Sequence, residues 1–352
     1  MSLKHQLKVA RWMSWEIARA LLMAAKGTFF PVRHLPEPEA PWWKKPGLGI
    51  MYQIEHRPGW EWDRDYEEFN RSMMDDQGNL WFNGPFCRIA EWVELSKKVG
   101  VDYHVFEAKW HDGICYFHTE LTSWRTEEDY CGQFAELSRR AGIPFMFYYS
   151  AIFDHNPQFD ALQPNPPSTF SVLTMEPNPE YEEYLRGQYR ELVERYSPDG
   201  MWIDWYWADR ATEMTVDLFK NHYPDVVLTF NFSNFFPTSH TKLHYTTGEA
   251  HDLHGFYVKP FRSGSLVLPI FTGAWRWATL FRRMMDHPWE LITPAGKWWQ
   301  DPSIRDDPME VPRMAAVILG SGGKLCLGAS ARLEGDIYPD QVKQLRILGK
   351  WY

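Results

Sequence analysis

Eight apolar runs, rich in β-branched and aromatic residues and spread along the chain, constrain the fold more than any other feature. Hydrophobicity within each run is continuous rather than alternating, which is typical of strands that are buried on both faces. We therefore predict eight buried strands. They are Leu48–Ile54, Val101–Ala108, Ile143–Ser150, Gly200–Trp207, Val226–Phe232, Leu243–Glu249, Leu266–Phe271 and Gly323–Gly328.

Segments with helical periodicity separate most of these runs. The first ends in Lys97, Lys98 and Gly100, a typical helix C-terminus. Alternating strands and helices imply parallel strands with right-handed crossovers, and eight strands in 352 residues predict an α/β fold of the (β/α)8, or TIM-like, barrel type. The predicted helices are Ile89–Val99, Glu127–Ala141, Glu180–Tyr196, Thr212–His222, Val311–Leu319 and Pro339–Tyr352.

Two regions depart from this regular alternation. The helices after the fifth and sixth strands are weak or missing and residues 272–308 form a long insertion, so we expect an irregular barrel around strands 5–7. Before the first strand, Met1–Lys26 has the pattern of an amphipathic helix, and Pro31–Pro41 is rich in proline, which favours an extended strap. We predict that residues 1–45 pack on a catalytic barrel formed by residues 46–352.

Composition narrows the class of partner. The net charge of −9 argues against a polybasic nucleic-acid binder, and no run of 18 apolar residues offers a membrane span. Aromatic residues make up 16% of the chain, with 19 Trp, which suits platforms for the apolar faces of sugars as well as core packing. Composition therefore leaves a carbohydrate substrate and a purely structural role of the aromatic residues both open, and we expect neither nucleic acid nor membrane as a partner.

The cysteines and the first helix bear on the compartment. The four cysteines show no metal-site spacing, and we predict reduced, buried thiols; they are Cys87, Cys115, Cys131 and Cys326. The first helix contains Arg19 and lacks a cleavage site, which favours a cytoplasmic protein. A periplasmic or secreted location stays open if a leader has been removed.

Carboxylates at the ends of the predicted strands are the candidate catalytic groups, because active sites of such barrels lie at the carboxyl ends of the strands. Asp204 lies inside an apolar run, where an unpaired carboxylate is costly. Either it forms a salt bridge to an interior Arg or Lys, or it is catalytic. Glu249, at the end of the sixth strand, would then face it. Two carboxyl groups in unequal environments are what glycoside hydrolysis requires.

Short motifs follow one another through the predicted barrel in a fixed order. They are Leu48–Glu55 on the first strand, Lys109–Gly113 after the second, Gly142–Ser150 on the third, Met201–Trp205 on the fourth, and then Pro288–Glu290 and Gly322–Ser330. In order and spacing they resemble the motifs of glycoside hydrolase family 29, the α-L-fucosidases, including Lys-His-His-Asp-Gly and Leu-Trp-Phe-Asp-Gly. The resemblance implies a retaining hydrolase of terminal α-L-fucose or a related sugar that needs no cofactor. We also expect no metal, since the histidines lack ligand spacing.

The same resemblance assigns roles to individual residues. Asp204 would attack the anomeric carbon, with Lys109 as a charge partner that keeps it ionised. Trp202 would pack on the apolar face of the sugar. His111 and Tyr149 would donate hydrogen bonds to sugar hydroxyls.

The sequence departs from the family motifs at two positions that hold sugar hydroxyls. Gln53 stands where the first-strand motif has histidine, with His56 as a substitute from the next turn, and Trp110 replaces the first histidine of the second motif. The family's glutamate position falls at Glu249, the predicted acid/base. Glu290, in the insertion after the seventh strand, is the second candidate.

Two alternatives to a fucosidase remain. One is a barrel hydrolase that acts on another glycoside or on a polysaccharide, which the departures at the sugar-contact positions favour. The other is a catalytically silent barrel that binds carbohydrate without turnover.

Overall fold

Eight parallel strands form the centre of the molecule. The computed structural model describes residues 35–54, 87–159, 178–205, 210–233, 242–249, 287–297, 299, 302–332 and 334–352, together with Ser14 and Ala18. The strands are Gly47–Ile54 (β1), Tyr103–Lys109 (β2), Phe145–Ser150 (β3), Gly200–Asp204 (β4), Val227–Phe230 (β5), Thr246–Glu249 (β6), Trp289–Pro294 (β7) and Lys324–Ala331 (β8).

The strands pair in the order β5-β4-β3-β2-β1-β8-β7-β6, and every pairing is parallel. The two outer strands meet and nearly close the barrel. The backbone N–H of His244 donates to Leu228 O at 3.1 Å, and Thr229 Oγ1 donates to Tyr245 O at 2.8 Å. The predicted (β/α)8 barrel is confirmed.

Six α-helices surround the barrel within the described residues, at places close to those predicted, and a short 3-10 helix, Pro41–Lys44, precedes β1. Asp129 and Asn178 begin two of them by accepting a hydrogen bond from a backbone N–H of the first turn. Gly100 and Gly142 end two of them in the left-handed conformation that glycine adopts freely. The helices are Ile89–Val99 (α1), Tyr130–Ala141 (α2), Pro179–Tyr196 (α3), Arg210–His222 (α4), Glu310–Gly320 (α5) and Pro339–Gly349 (α6).

The seventh strand lies elsewhere than the sequence pattern suggested. The run Leu266–Phe271 lies outside the described residues, and the structure forms β7 from residues that we had placed in the insertion. Glu290, expected on a loop, is therefore a buried strand residue. The pattern missed this strand because its apolar run is interrupted by a glutamate whose partners come from other strands.

The two larger of three apolar clusters divide the core according to the alternation of side chains along the strands, and the third is a small group at the carboxyl-terminal end that includes Phe153 and Trp205. One fills the barrel and includes Met51, Val105, Met146 and Trp202. The other packs the outer face of the strands against the helices. All four cysteines are free and buried, as predicted.

The amino-terminal end of the barrel is covered by residues 35–45. Lys324, buried at the start of β8, donates to Trp42 O at 2.9 Å and to Lys45 O at 2.6 Å. His244 Nε2 lies 3.0 Å from Pro36 O. Apart from Ser14 and Ala18, the predicted first helix lies outside the described residues, so the division at residue 45 stays a prediction.

Candidate active site

Asp204 ends β4 at the carboxyl-terminal mouth of the barrel and is 5% exposed. Its carboxylate accepts hydrogen bonds on both oxygens. Tyr148 Oη donates to Oδ2 at 2.5 Å, and Asn231 Nδ2 donates to Oδ1 at 2.8 Å. The backbone N–H of Trp205 also donates to Oδ1, at 3.0 Å. The side chain is therefore held in one orientation from three sides.

Glu249, at the end of β6, lies beside Asp204. Asn231 Nδ2 donates to Glu249 Oε1 at 2.6 Å, so one amide nitrogen bridges the two carboxyl groups. The two accepting oxygens therefore lie no farther apart than the sum of 2.8 Å and 2.6 Å. Asn231 follows β5, which lies between the two strands that carry the carboxyl groups.

Burial and, to a smaller extent, the nearby Glu249 raise the pKa of Asp204, while the three hydrogen bonds lower it, and the net result is a pKa of about 7. Retaining hydrolysis needs one ionised and one protonated carboxyl group. The mouth of the barrel places a carboxyl group with a pKa near neutrality, that of Asp204, beside a second carboxyl group.

Backbone strain marks the same two strand ends. Trp205 and Phe232, which directly follow Asp204 and Asn231, have φ angles of 69° and 60°. The left-handed region is costly for a bulky side chain and is found where the surroundings fix it. Here the two rings pack at 4.7 Å between centroids, and Trp205 stands where the family motif has glycine.

His111 lies in the loop after β2 and faces Asp204. Its Nε2 lies 3.5 Å from Asp204 Oδ2, and its Nδ1 lies 2.6 Å from Ser150 Oγ. The ring of the half-buried Trp110 stacks on the imidazole at 4.9 Å. The structure thus brings the predicted His111 to the predicted nucleophile, with Trp110 beside it.

Lys109 does not pair with Asp204. It forms a fully buried ion pair with Asp154, and its ammonium lies 4.3 Å from the centre of the Tyr149 ring. Tyr149 in turn donates to Gln188 of α3. Tyr149 therefore packs between the barrel and its helices, whereas the preceding residue, Tyr148, faces the interior and contacts the candidate nucleophile.

Glu290 lies at the opposite end of the barrel from the mouth. It is the second residue of β7 and pairs with Lys324, the first residue of β8. Trp202 Nε1 and Thr247 Oγ1 donate to its Oε1 at 2.8 and 2.7 Å, and Tyr103 donates to its Oε2. The structure therefore separates Glu290 from the Asp204–Glu249 pair.

Gln53 is near the end of β1 and buried beside β8. A Cβ on Gly328 would lie 2.9 Å from Gln53 Oε1 and 2.5 Å from the Trp299 ring, so only glycine allows this close approach. The other predicted contact on the first strand, His56, lies outside the described residues. Trp202, expected against the sugar, is buried in the barrel and stacks on Tyr148 at 5.4 Å.

Sequence reasoning missed two residues of the site, Tyr148 and Asn231. The sequence carried no signal for Tyr148, because side chains alternate along a strand and only the structure shows that Met146, two residues earlier, points into the barrel. Asn231 could have been found as the polar residue at the end of the fifth strand. Among the described residues, no group of histidine, cysteine and acidic side chains is arranged to hold a metal ion.

Comparison with known proteins gives a consistent result. The α-L-fucosidase family model matches residues 41–352. The tissue α-L-fucosidase of Macaca fascicularis is 22% identical over 325 residues, which is 88% of this chain and 61% of that protein. An α-L-fucosidase of Dictyostelium discoideum is 25% identical over 151 residues, 38% of this chain and 31% of that protein. The chain spans less than two thirds of the length of these curated relatives.

Solved structures with this fold include the Thermotoga maritima α-fucosidase in complex with fucose. Its TM-score is 0.64 at 21% identity, and the match covers 90% of this chain and 74% of that one. The α-L-fucosidase isoenzyme 1 from Paenibacillus thiaminolyticus gives a TM-score of 0.62 at 21% identity, covering 88% and 74%. No helix within the described part of the chain has the length and apolar character to cross a membrane.

Proposed function

The chain belongs to the α-L-fucosidase family, and on that premise we propose that it is a retaining glycoside hydrolase that removes terminal α-L-fucose or a related sugar by double displacement. The observation that carries the proposal is the pair of carboxyl groups of Asp204 and Glu249, bridged by one amide nitrogen of Asn231. This pair lies at the mouth of the barrel, where such folds carry out their chemistry.

The spacing of the pair supports retention of configuration. Retaining enzymes hold their two carboxyl groups about 5–5.5 Å apart, and inverting enzymes hold them about 6.5–9.5 Å apart to admit a water molecule. The shared donor limits the two nearest oxygens to the sum of 2.8 Å and 2.6 Å. This distance suits direct attack by one carboxylate on the anomeric carbon.

Asp204 is the proposed nucleophile. Three donors point at its carboxylate, namely Tyr148, Asn231 and the Trp205 backbone, and each favours the ionised form. A nucleophile must also be fixed in direction, and these contacts fix both oxygens. Glu249 is the proposed acid/base: it gives its proton to the departing oxygen and then takes one from the water that releases the sugar.

The sugar-contact residues follow from where the side chains lie. His111 faces the nucleophile, and Trp110 stacks beside it. Tyr148 takes the place that the sequence assigned to Tyr149, because it is the tyrosine whose hydroxyl reaches Asp204. Trp202 lies inside the barrel and contacts the site only through Tyr148, on whose ring it stacks.

A second candidate is hydrolysis of a different terminal glycoside. The observation that favours it is the pair of departures, Gln53 and Trp110, at positions where the family motifs have histidine. An amide and an indole offer different hydrogen bonds from an imidazole. The proposed chemistry is the same in both cases, and only the sugar differs.

The test is a panel of aryl glycosides, with aryl α-L-fucoside beside aryl α- and β-galactosides. We expect turnover of the fucoside, and proton NMR should show the α-anomer of fucose as the first product. Turnover of a galactoside alone would select the second candidate. Binding of the sugars with no turnover would contradict both hydrolases. The Asp204→Asn variant, prepared in parallel, measures any contaminating glycosidase.

A further inference from the structure

We propose that Ser150 is a positioning residue that fixes the proton of His111 on Nδ1, so that His111 presents a hydrogen-bond acceptor, rather than a donor, beside the nucleophile. The part of this inference that concerns the sugar rests on the proposed function. The position of the proton is a property of the free protein. Sequence comparison with the family motifs had suggested that His111 donates to a sugar hydroxyl, so the polarity proposed here is the reverse.

Ser150, the last residue of β3, donates its only hydroxyl hydrogen to a backbone carbonyl. Its Oγ lies 2.7 Å from the backbone carbonyl oxygen of Phe153. A carbonyl oxygen only accepts, and a serine hydroxyl has a single hydrogen to donate. The hydroxyl hydrogen of Ser150 is therefore used by Phe153, and Ser150 Oγ can only accept from any other partner.

The contact with Ser150 determines which ring nitrogen of His111 carries the proton. His111 Nδ1 lies 2.6 Å from Ser150 Oγ, and because the serine hydrogen is already used, Nδ1 must carry the hydrogen of that bond. The loop holds this geometry, since the backbone N–H of His155 donates to His111 O at 2.8 Å. Three hydrogen bonds thus fix the ring and its proton together.

The buried position of His111 determines the charge of its imidazole ring. His111 is 3% exposed and Ser150 is fully buried. Burial lowers the pKa of His111 well below its usual value, and His155 and Lys109 lower it further. The imidazole is therefore neutral near pH 7, and a neutral ring with its proton on Nδ1 has a lone pair on Nε2.

The lone pair on His111 Nε2 would lie beside the carboxylate of the proposed nucleophile. His111 Nε2 lies 3.5 Å from Asp204 Oδ2, an oxygen that also accepts from Tyr148. When Asp204 is ionised, two acceptors face each other. A hydroxyl of the bound sugar that donates to Nε2 would leave the lone pairs of the Asp204 carboxylate available for attack on the anomeric carbon. The site would thereby select a sugar with a free hydroxyl near the anomeric carbon.

The direct test is the protonation pattern of His111 in the free wild-type protein at pH 7, read by two-bond nitrogen–proton NMR correlations after labelling with 15N-histidine. The His111→Asn variant identifies the signal. We expect a neutral ring with the proton on Nδ1. A neutral ring with its proton on Nε2, or a charged ring, would overturn the proposal. Because no sugar is present, this result does not depend on the aryl glycoside panel.

Variants of Ser150 test whether it sets the pattern. Ser150→Ala should give a mixture of the two neutral forms and lower kcat/KM about tenfold, the equivalent of roughly one net hydrogen bond. Ser150→Thr keeps the hydroxyl and should restore the Nδ1 proton and most of the activity. Retention of both the wild-type pattern and full kcat/KM in Ser150→Ala would overturn the positioning role.

A matched control is available in the outer layer. Ser96 Oγ lies 3.1 Å from Nδ1 of the buried His104, away from the barrel mouth. Ser96→Ala removes a serine–histidine contact of the same kind and should leave both the His111 signal and kcat/KM unchanged. A loss of activity equal to that of Ser150→Ala would attribute the effect to general destabilisation and overturn the proposal.

Discussion

Asp204 and Glu290 are two buried carboxyl groups of one barrel, and their surroundings differ in the sign of the neighbouring charge. Asp204, at the mouth, has a second carboxyl group beside it, and Glu249 contributes to its raised pKa. Glu290, at the amino-terminal end, has Lys324 on the adjacent strand, and the attraction between them opposes the lowering of the lysine pKa by burial.

The difference teaches how burial alone should be interpreted. Both groups accept hydrogen bonds from at least three donors, so neither is simply left unsatisfied. A like charge at the mouth favours sharing of a proton, which suits chemistry. The opposite charge of Lys324 at the amino-terminal end of the barrel favours a fixed structural role for Glu290.

The largest expected effect is that of Asp204→Asn. An amide cannot form the covalent intermediate, so kcat/KM on aryl α-L-fucoside should fall by roughly 10⁴-fold or more. Steady-state kinetics measures the loss, and a circular dichroism spectrum like that of the wild type shows that the variant is folded. Activity within tenfold of the wild type in a folded variant would contradict the assignment.

The second prediction compares Glu249→Ala with Glu290→Ala. Loss of the acid/base should lower kcat/KM on substrates with poor leaving groups by about 10²–10⁴-fold and spare those with good ones. Azide should then speed the second step of Glu249→Ala by replacing base-assisted water. Azide rescue of Glu290→Ala, with none for Glu249→Ala, would reverse the two roles.

For stability we expect the opposite ranking, in which Glu290→Ala has a larger effect than Glu249→Ala. Glu290→Ala leaves the buried donors of Trp202 and Thr247 without their acceptor. We expect the free energy of unfolding to fall by about 3–5 kcal/mol, since one partner of a buried charged network is lost. Denaturant titration measures it. Equal stability of Glu290→Ala and the wild type would remove the structural role of Glu290.

The smallest expected effect is a pH-dependent gain in the free energy of unfolding of Asp204→Asn relative to the wild type. Asp204 has a folded-state pKa of about 7, above the value of about 3.9 for an unfolded aspartate. Its stabilising contribution is complete below the unfolded pKa and is lost as pH rises through the folded pKa. Asn has no such loss, so the stability of Asp204→Asn relative to the wild type should increase from pH 5 to pH 8, by about 2–4 kcal/mol.

A matched control for this titration is Asp336→Asn. Hydrogen bonding to Arg332 lowers the pKa of Asp336, so that carboxyl group does not titrate between pH 5 and pH 8. Its substitution should change the free energy of unfolding by an amount that is constant across this range. A difference between Asp204→Asn and the wild type that is equally constant would contradict the raised pKa.

The barrel was predictable from the sequence, because each buried strand leaves a local trace in continuous apolar residues. Asp204 was predictable for a related reason, since a carboxylate within such a run is unusual. The choice between Tyr148 and Tyr149 depended on which face of β3 points inward, and the pattern of a strand buried on both faces does not reveal that.

Contacts between distant strands could not be predicted from local pattern. Asn231 became part of the site only because β5 lies between β4 and β6, where its amide reaches both carboxyl groups. Glu290 was misplaced because its donors come from β2, β4 and β6. A buried polar side chain gives little local signal when its partners are remote in sequence.

The central claim is that Asp204 becomes covalently attached to the sugar, and trapping of that intermediate tests it most directly. A 2-deoxy-2-fluoro fucosyl fluoride should transfer its sugar to Asp204 with loss of fluoride, and the fluorine at C2 should slow hydrolysis of the resulting ester. Peptide mass spectrometry then locates the added sugar. The account predicts a label on Asp204 in the wild type and none in Asp204→Asn. A label on Glu249 or Glu290, or time-dependent inactivation that Asp204→Asn retains, would contradict it.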